Sequence, residues 1–533
     1  MQAHALALGK QEESPPSLFA LADEKFAAIK HRLGSAEVRA MTHSDLEKLI
    51  EGDGRELMRR LLQDHLALRA AQERDLGVEG PVVGSDGRLR THLRDGGRGL
   101  MTLFGGVRVE RVAHHSPGSE SLHPLDAALN LPVESFSFGV RRRAAVEATR
   151  GSFDDAVESL TTTTGAAISK RQLEELVVRA ATDFDAFYET RAVLTASAVR
   201  ALGEILVIAT DGKGLVMRQD ALRAATRRAA SRARRKLKRR LSKGEKRNRK
   251  RMAQVAAVYT VAPFVRTPED IVGELDRSHE AAPKRPRPEN KRVWASVEKD
   301  MAVVVRAAFE EAARRDPARK KIWVGLSDGD EDQLVLLEKL AREYGVRITI
   351  VLDLIHVTEY LWKATTCFNK EGSPAAEEWV TERVLAILRG KAIDVAAGIR
   401  RSATKRGLSQ SERKAADKCA DYLLKYAEYL HYDMYLAMGL PISTGVIEGA
   451  CRHLVKDRMD LTGARWGLDG AEAVLKLRAL RSSGDFDEYW AFHERQELAR
   501  NHAEKYANGD VPSMRQASPA RARGSRADLR LVP

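Results

Sequence analysis

The chain has 533 residues, 43% hydrophobic and 31% charged, with 17 prolines and 38 glycines, a globular composition long enough for several domains. Its three cysteines, Cys367, Cys419 and Cys451, are odd in number and too far apart for a C-x-x-C pair, which argues against a disulfide framework and for a reducing compartment. No apolar run approaches the roughly 18 residues of a membrane span, and the opening MQAHALALGKQEESPP lacks the basic and apolar regions of a secretion signal, so no membrane partner is expected.

The net charge of +14 is concentrated: Arg223 to Arg251 holds 16 Lys and Arg against one acid, Glu245, a net +15 that leaves −1 for the rest. The runs RRKLKRR and KRNRKR could form a solvated surface. Runs this dense repel themselves unless an anion neutralises them, however, and nucleic-acid phosphates do so with counterion release, which favours DNA or RNA contact.

Residues 18 to 75 repeat Leu, Ala and Phe at helical spacing, so residues 1–85 read as a helical N-terminal region. In 86–140, RLRTHLR and GLMTLFGGVRVERVAHH read as short strands around turns at Gly96, Gly97, Gly105 and Gly106. No G-x-x-x-x-G-K-[ST] or G-x-G-x-x-G pattern occurs, so nothing points to a nucleotide hydrolase. Residues 141–200 open as three short helices, the third capped by Ser169 with Gln172 three positions on. This fits a helix-turn-helix presenting Lys170 and Arg171 to DNA, and equally a plain three-helix bundle.

The period then changes. EILVIATDGKGLVM reads as a β-hairpin with Asp211 ending its first strand, and AQVAAVYTV as a further strand beyond the basic segment. PKRPRPEN reads as a surface connection and Val297 to Arg315 as an amphipathic helix. Strand KIWVGLSDGD, a helix ending at Gly345, strand RITIVLDLIHV and the helix start TEYLWKAT follow. The pattern predicts an α/β fold with a mixed sheet over 201–372, interrupted by an all-α insertion over 373–438 and resumed over 439–507. The Pro-, Arg- and Ser-containing residues 508–533 read as a disordered tail.

Asp211, Asp328 and Asp353 all fall at or near predicted strand ends, where side chains of an α/β sheet converge on a crevice. One such Asp is usually a turn or cap residue, and Asp330 reads as the N-cap of the next helix. Several on one sheet suit a hard divalent cation, which takes carboxylates from rigid elements.

With these acids stand HPLDAALNLP (His123 to Pro132), SKRQLEELV (Ser169 to Val177), TDGKG (Thr210 to Gly214), LSKGEKRNRKRMAQVAAVY (Leu241 to Tyr259), SDGD (Ser327 to Asp330), LDLIHVTEYLW (Leu352 to Trp362) and TGVIEGACRHLVKDRMDLTGARW (Thr444 to Trp466). On these motifs, spread from about residue 95 to 500, the sequence resembles the ISKra-type family of bacterial insertion-sequence DDE transposases, whose catalytic domain is ribonuclease H-like. The resemblance implies a triad of Asp211, a middle Asp and Glu448. For the middle acid, topology favours Asp328, whereas Asp353 belongs to a D-x-x-H element with His356 that resembles a signature of Mutator-like transposases.

Further implications are two Mg²⁺ (or Mn²⁺) ions held by Asp211, Asp328 and Glu448, and cleavage at the element's ends followed by joining of the 3′-hydroxyl to target DNA. The DNA partners would be the terminal inverted repeats and the target, bound by a homodimer or higher oligomer in the bacterial cytoplasm, at the nucleoid. Related sequences carry cysteines before the HPLD-like motif, but VAHHSPGSESLHPLD has none, so no zinc is expected. Candidate DNA-contacting residues are Lys170, Arg171, Lys213, Arg234, Arg235, Lys236, Lys238, Arg239, Arg240, Lys246, Arg247, Arg249, Lys250 and Arg251, with Arg452, Lys456 and Arg458 forming a phosphate track after Glu448. A transposase-derived DNA-binding protein without catalysis and a ribonuclease H-like nuclease without strand transfer are the alternatives.

Overall fold

The computed structural model describes residues 18–191, 203–232, 245, 248–275, 284–461 and 463–516. They fall into two compact units, 18–183 with 490–516, and 184–489. Residues 490–507, read from sequence as the end of the catalytic region, thus belong with the N-terminal unit.

In that unit, helices Ala20–Leu33 and His43–Leu76 precede a two-stranded antiparallel ribbon, β1 (His92–Thr102) and β2 (Gly105–His115). The ribbon turns at Leu103 and Phe104, not at Gly96 and Gly97 as the sequence suggested. Those two glycines lie inside β1 opposite Arg111 and Glu110, and a Cβ at Gly97 would meet the Glu110 carboxylate at 2.6 Å. Gly165 lies against the turn, where a Cβ would fall 2.4 Å from the Phe104 carbonyl oxygen.

Helices Phe138–Ala148, Phe153–Thr163 and Lys170–Ala180 pack on one another through residues such as Ala144, Leu160, Leu173 and Val177. The Ser169–Gln172 capping box forms as the sequence implies. Arg141 is fully buried among Glu134, Glu497 and His493. Asp183 in turn receives His493 and Arg500 at 2.6 and 2.8 Å. Residues 508–516, expected to be disordered, instead lie against the end of helix His43–Leu76 and the residues that follow it. Met514 bridges to Val78 and Gln72 donates to the Arg515 carbonyl, because Val511 and Met514 bury apolar surface with Val78, Val82 and Tyr506. The rest of the tail lies outside the described residues.

The second unit is built on a five-stranded mixed sheet. Its strands are β3 (Ile205–Val216), β4 (Lys250–Val261), β5 (Glu289–Ser296), β6 (Ile322–Ser327) and β7 (Ile348–Leu352), in spatial order β5-β4-β3-β6-β7. Strands β3, β4 and β5 are antiparallel neighbours, while β6 and β7 run parallel to β3. Both central strands read as nearly unbroken buried runs, β3 from Ile205 to Thr210 and β4 from Val255 to Val261, because helices cover the sheet.

The expected three antiparallel strands are present but differently composed. TDGKG is not a hairpin turn: β3 passes straight through it, Asp211 facing Val255 and Lys213 facing Ala253. Gly212 and Gly214 leave room for Met252 and Lys250 of β4, whose side chains an added Cβ would meet at 3.0 and 2.8 Å. The third antiparallel strand is β5, whose start lies in the segment read as a connection. The helix expected from Val297 begins at Met301 behind the Asp300 cap. Strand β7 stops at Leu352 because the Asp353 side chain caps helix Leu354–Thr365, which takes LIHV into its first turn.

Edge strand β5 is protected by helix Leu468–Ser483, where the Ser483 hydroxyl both accepts from the Val293 N–H and donates to its carbonyl. On β5, Arg292 reaches Glu311 of helix Met301–Arg315 on one face of the sheet. Lys291 and Val293 point to the other face, toward helix Gly445–Ala450. Helices Pro374–Leu388, Ala392–Lys405, Lys414–Lys425 and Tyr432–Ala437 occupy the region expected to be an all-α insertion.

Candidate active site

Asp211 follows the buried run Ile205–Thr210 of β3, where it is still paired with Val255 of β4 but lies two residues past the end of the β3–β6 pairing at Ala209 and Leu326. One carboxylate oxygen accepts from the Gly212 N–H at 2.6 Å, and the other takes the Cys451 thiol at 3.0 Å. Cys451 sits one helical turn after Glu448, so this contact brings the Gly445–Ala450 helix against β3 and sets Glu448 near Asp211. Burial and the charges of Asp353 and Asp211 raise the Glu448 carboxyl above its ordinary range, although the side chain remains exposed. Burial, then the Asp211 carboxylate, pushes the Cys451 thiol up.

Asp328 follows β6 directly. Burial raises its pKa, the Asp330 N–H donated to it at 3.2 Å opposes the rise, the Asp211 charge adds to it, and His356 lowers it. The charge of Asp211 is thus felt separately by Asp328 and by Glu448, residues far apart in sequence.

Asp353 has a different environment. It is 3% exposed and accepts from the Ile355 N–H at 3.1 Å, the Thr444 N–H at 3.3 Å and the Thr444 hydroxyl at 2.5 Å. It thereby ties the end of β7 to the first residues of the Glu448 helix. Asp330 caps helix Glu331–Tyr344, as its position implied.

The loop carrying Asp328 is held from outside the sheet. Tyr422 donates to the Asp328 carbonyl at 3.3 Å and Tyr426 to the Gly329 carbonyl at 2.8 Å. Gly329 has φ +96°, where an L side chain is strained, and a Cβ there would also crowd the Tyr422 hydroxyl at 3.2 Å. Tyr422 stacks on Tyr360 with ring centroids 4.1 Å apart, and His356 packs edge-on to both. Tyr429, Tyr432 and Tyr435 continue the row, donating to Glu338 and to the carbonyls of Leu352 and Ile350. Beneath the acids, buried Gln333 accepts from Thr210 of β3 at 3.3 Å and Ser327 of β6 at 3.2 Å.

Thr444, Cys451 and Tyr360 fall within motifs of the sequence that assign them no role, and Gln333 and the tyrosines from Tyr422 to Tyr435 carry no motif. The repeated tyrosine at spacings of three and four through YLLKYAEYLHYDMY was the available signal for the row.

The basic candidates divide. Lys213 is exposed on β3, and its charge lowers the Cys451 pKa, which places it beside the acids. Cys451–Lys456 is a single π-helical stretch that leaves Arg452, His453 and Lys456 exposed. Arg458 is not part of that track: it is 3% exposed and covers the Trp466 ring at 4.9 Å. Arg251 is half-buried and donates to the carbonyls of Val297, Ala221 and Glu298, so its guanidinium serves the fold, whereas Lys250 is exposed and Arg249 half-buried. Lys170 and Arg171, in the N-terminal unit, are exposed and paired with Asp154 and Glu175. Arg234, Arg235, Lys236, Lys238, Arg239, Arg240, Lys246 and Arg247 lie outside the described residues.

The donor set suits a hard cation. Asp328 and Glu448 offer carboxylate oxygens whose protonation is favoured first by burial and then by neighbouring negative charge, the second of which a divalent ion relieves. Among the described residues, no three His, Cys, Asp or Glu side chains are already drawn into a metal-holding group.

No protein-family model and no curated protein matches the chain. Among solved structures it is similar to the Drosophila P element transposase strand transfer complex, at 11% identity and TM-score 0.20, over 69% of this chain and 82% of that one. Among the described residues, no helix is long and apolar enough to cross a membrane.

Proposed function

We propose that the chain is a DDE transposase of the ISKra type, with residues 184–489 forming a ribonuclease H-like catalytic unit. The carrying observation is that Asp211 of the central strand acts electrostatically both on Asp328, after the strand beside it, and on Glu448, on the helix that its own carboxylate holds through Cys451. The antiparallel β5-β4-β3 followed by parallel β6 and β7 is the order a ribonuclease H-like sheet has, which supports the same reading.

Asp211, Asp328 and Glu448 would hold two Mg²⁺ or Mn²⁺ ions, which when bound activate water and stabilise the leaving 3′ oxygen of a phosphodiester. Asp353 acts as a positioning residue, fixing the Glu448 helix through Thr444. Tyr422 and Tyr426 fix the Asp328 loop. Lys213, Arg452 and Lys456 neutralise strand phosphates flanking the acids. No side chain forms a covalent bond to DNA in this scheme. The substrate would be the terminal inverted repeats of an element and then target DNA, handled by a dimer or higher oligomer in the bacterial cytoplasm.

Cleavage and joining of a labelled terminal-repeat end with Mg²⁺ or Mn²⁺ tests the reading. Wild-type protein should cut and join, and Asp211→Asn, Asp328→Asn and Glu448→Gln should each abolish both while still binding DNA. Cutting without joining would make the protein a nuclease. Binding without either would make it a transposase-derived DNA-binding protein.

A further inference from the structure

The helix bearing Glu448 has a second working face. Away from the acids, Gly445, Val446, Gly449, Ala450 and His453 form one wall of a cleft of about 370 Å³. The facing wall is the start of β5 and the segment before it, with Arg287, Pro288, Lys291 and Val293, and Ser482 closes one end. Arg287, Lys291 and His453 are exposed, no acid lines the cleft, and neither Arg287 nor Lys291 makes an ion pair with a described residue. An added Cβ at Gly445 or Gly449 would meet nothing within 4 Å, so this wall is open to whatever enters. The cleft thus combines an apolar floor of Val293, Val446 and Ala450 with a cationic rim, and its volume is in the range of small-ligand sites.

Resting on the transposase reading, we propose that this cleft holds one nucleotide of the DNA strand being processed, its phosphate on Arg287 and Lys291 and its sugar or base on Val293, Val446 and Ala450. The two faces of one helix then grip one strand, the acids on one side and the cleft on the other. A helix with side chains is roughly 10–12 Å across, and a DNA strand rises 3.4 Å per nucleotide. The held nucleotide therefore lies roughly three positions from the phosphate at Glu448.

The test is binding of a fluorescent single-stranded oligonucleotide to the full chain across a salt series, without divalent ions. Arg287→Ala with Lys291→Ala should lower the slope of log affinity against log salt by roughly 1.4, at 0.7 per contact. Gly449→Met, which fills the cleft without changing charge, should lower it too, with thermal unfolding unchanged in both variants. An unchanged slope in either cleft variant overturns the proposal. Because no cutting is measured, a protein that fails to cleave DNA but shows both losses keeps the cleft and loses only the transposase reading.

Discussion

Asp328 and Asp353 are both acids at the ends of parallel strands, yet their surroundings demand opposite effects from the same substitution. Asp353 is buried and accepts three hydrogen bonds, so Asp353→Asn should cost about 1–3 kcal/mol of stability. Asp328 has its pKa raised by burial and by Asp211, so its ionised form destabilises the fold. The stability this group contributes is complete below its ordinary value of 3.8 and is lost as pH rises through the raised value. Without divalent ions, Asp328→Asn should therefore match wild type in acid and exceed it at neutral pH, by thermal unfolding. Mg²⁺ or Mn²⁺ should stabilise wild type at neutral pH and lose that effect as the acids protonate. A destabilised Asp328→Asn at neutral pH would contradict this account. The sequence placed both residues near strand ends. Topology put Asp328 ahead, but the role of Asp353 was not legible, because its partner Thr444 lies 91 residues beyond it.

At the level of elements, the helices of residues 374–437 are more than an interruption of the sheet, since their tyrosines fasten the loop that carries Asp328. Tyr422→Phe with Tyr426→Phe should cost about 1 kcal/mol per lost hydrogen bond, and, on the proposed function, should slow DNA cleavage more than that stability loss accounts for. Glycines offer a paired comparison by chemical denaturation. Gly329→Ala should destabilise by about 1–3 kcal/mol, because its φ of +96° is fixed by the tyrosines. Gly214→Ala should fall within about 0.5 kcal/mol of wild type, because only the flexible Lys250 side chain must yield. Large losses at Gly214 would restore the turn that TDGKG suggests. That suggestion had a physical basis: two glycines around a lysine are turn chemistry, and only the pairing of Gly212 with Gln254 and Gly214 with Met252 shows them inside a strand. Strand β5 was half legible. VWAS has strand character, but its charged beginning, ENKR, reads as surface because Arg292 finds Glu311 only in the folded sheet.

At the scale of the molecule, the N-terminal unit takes residues from both ends of the described chain. Arg141 is fully buried and depends on Glu497, and Asp183 is paired with Arg500 and His493. Burial pushes Asp183 up, but Arg500 and His493 outweigh it and hold its pKa at about 2. This pair's stability is thus present at neutral pH and fades only as pH falls from 3.8 toward 2. A chain ending at Tyr489 should lose about 1–3 kcal/mol at Arg141 alone, because Glu497 and His493 are removed and only Glu134 still pairs with the buried guanidinium. Limited proteolysis should then digest residues 18–183 while the second unit persists. Equal protease resistance of both units would show that the C-terminal segment is dispensable. None of this was legible locally, because an arginine within FGVRRRAAVEA looks like surface until its partner 356 residues away is known.

The split N-terminal unit also sets an order of events during synthesis. Asp183 leaves the ribosome 307 residues before Trp490, the first of the returning residues. At 5–20 residues per second, that is a wait of roughly 15–60 s. For that interval Arg141 has Glu134 but neither Glu497 nor His493, and the cluster of side chains around it is incomplete. The second unit, whose described residues all precede Trp490, can close first. A chain released before Trp490 is made would have its acids assembled and its N-terminal unit unfinished.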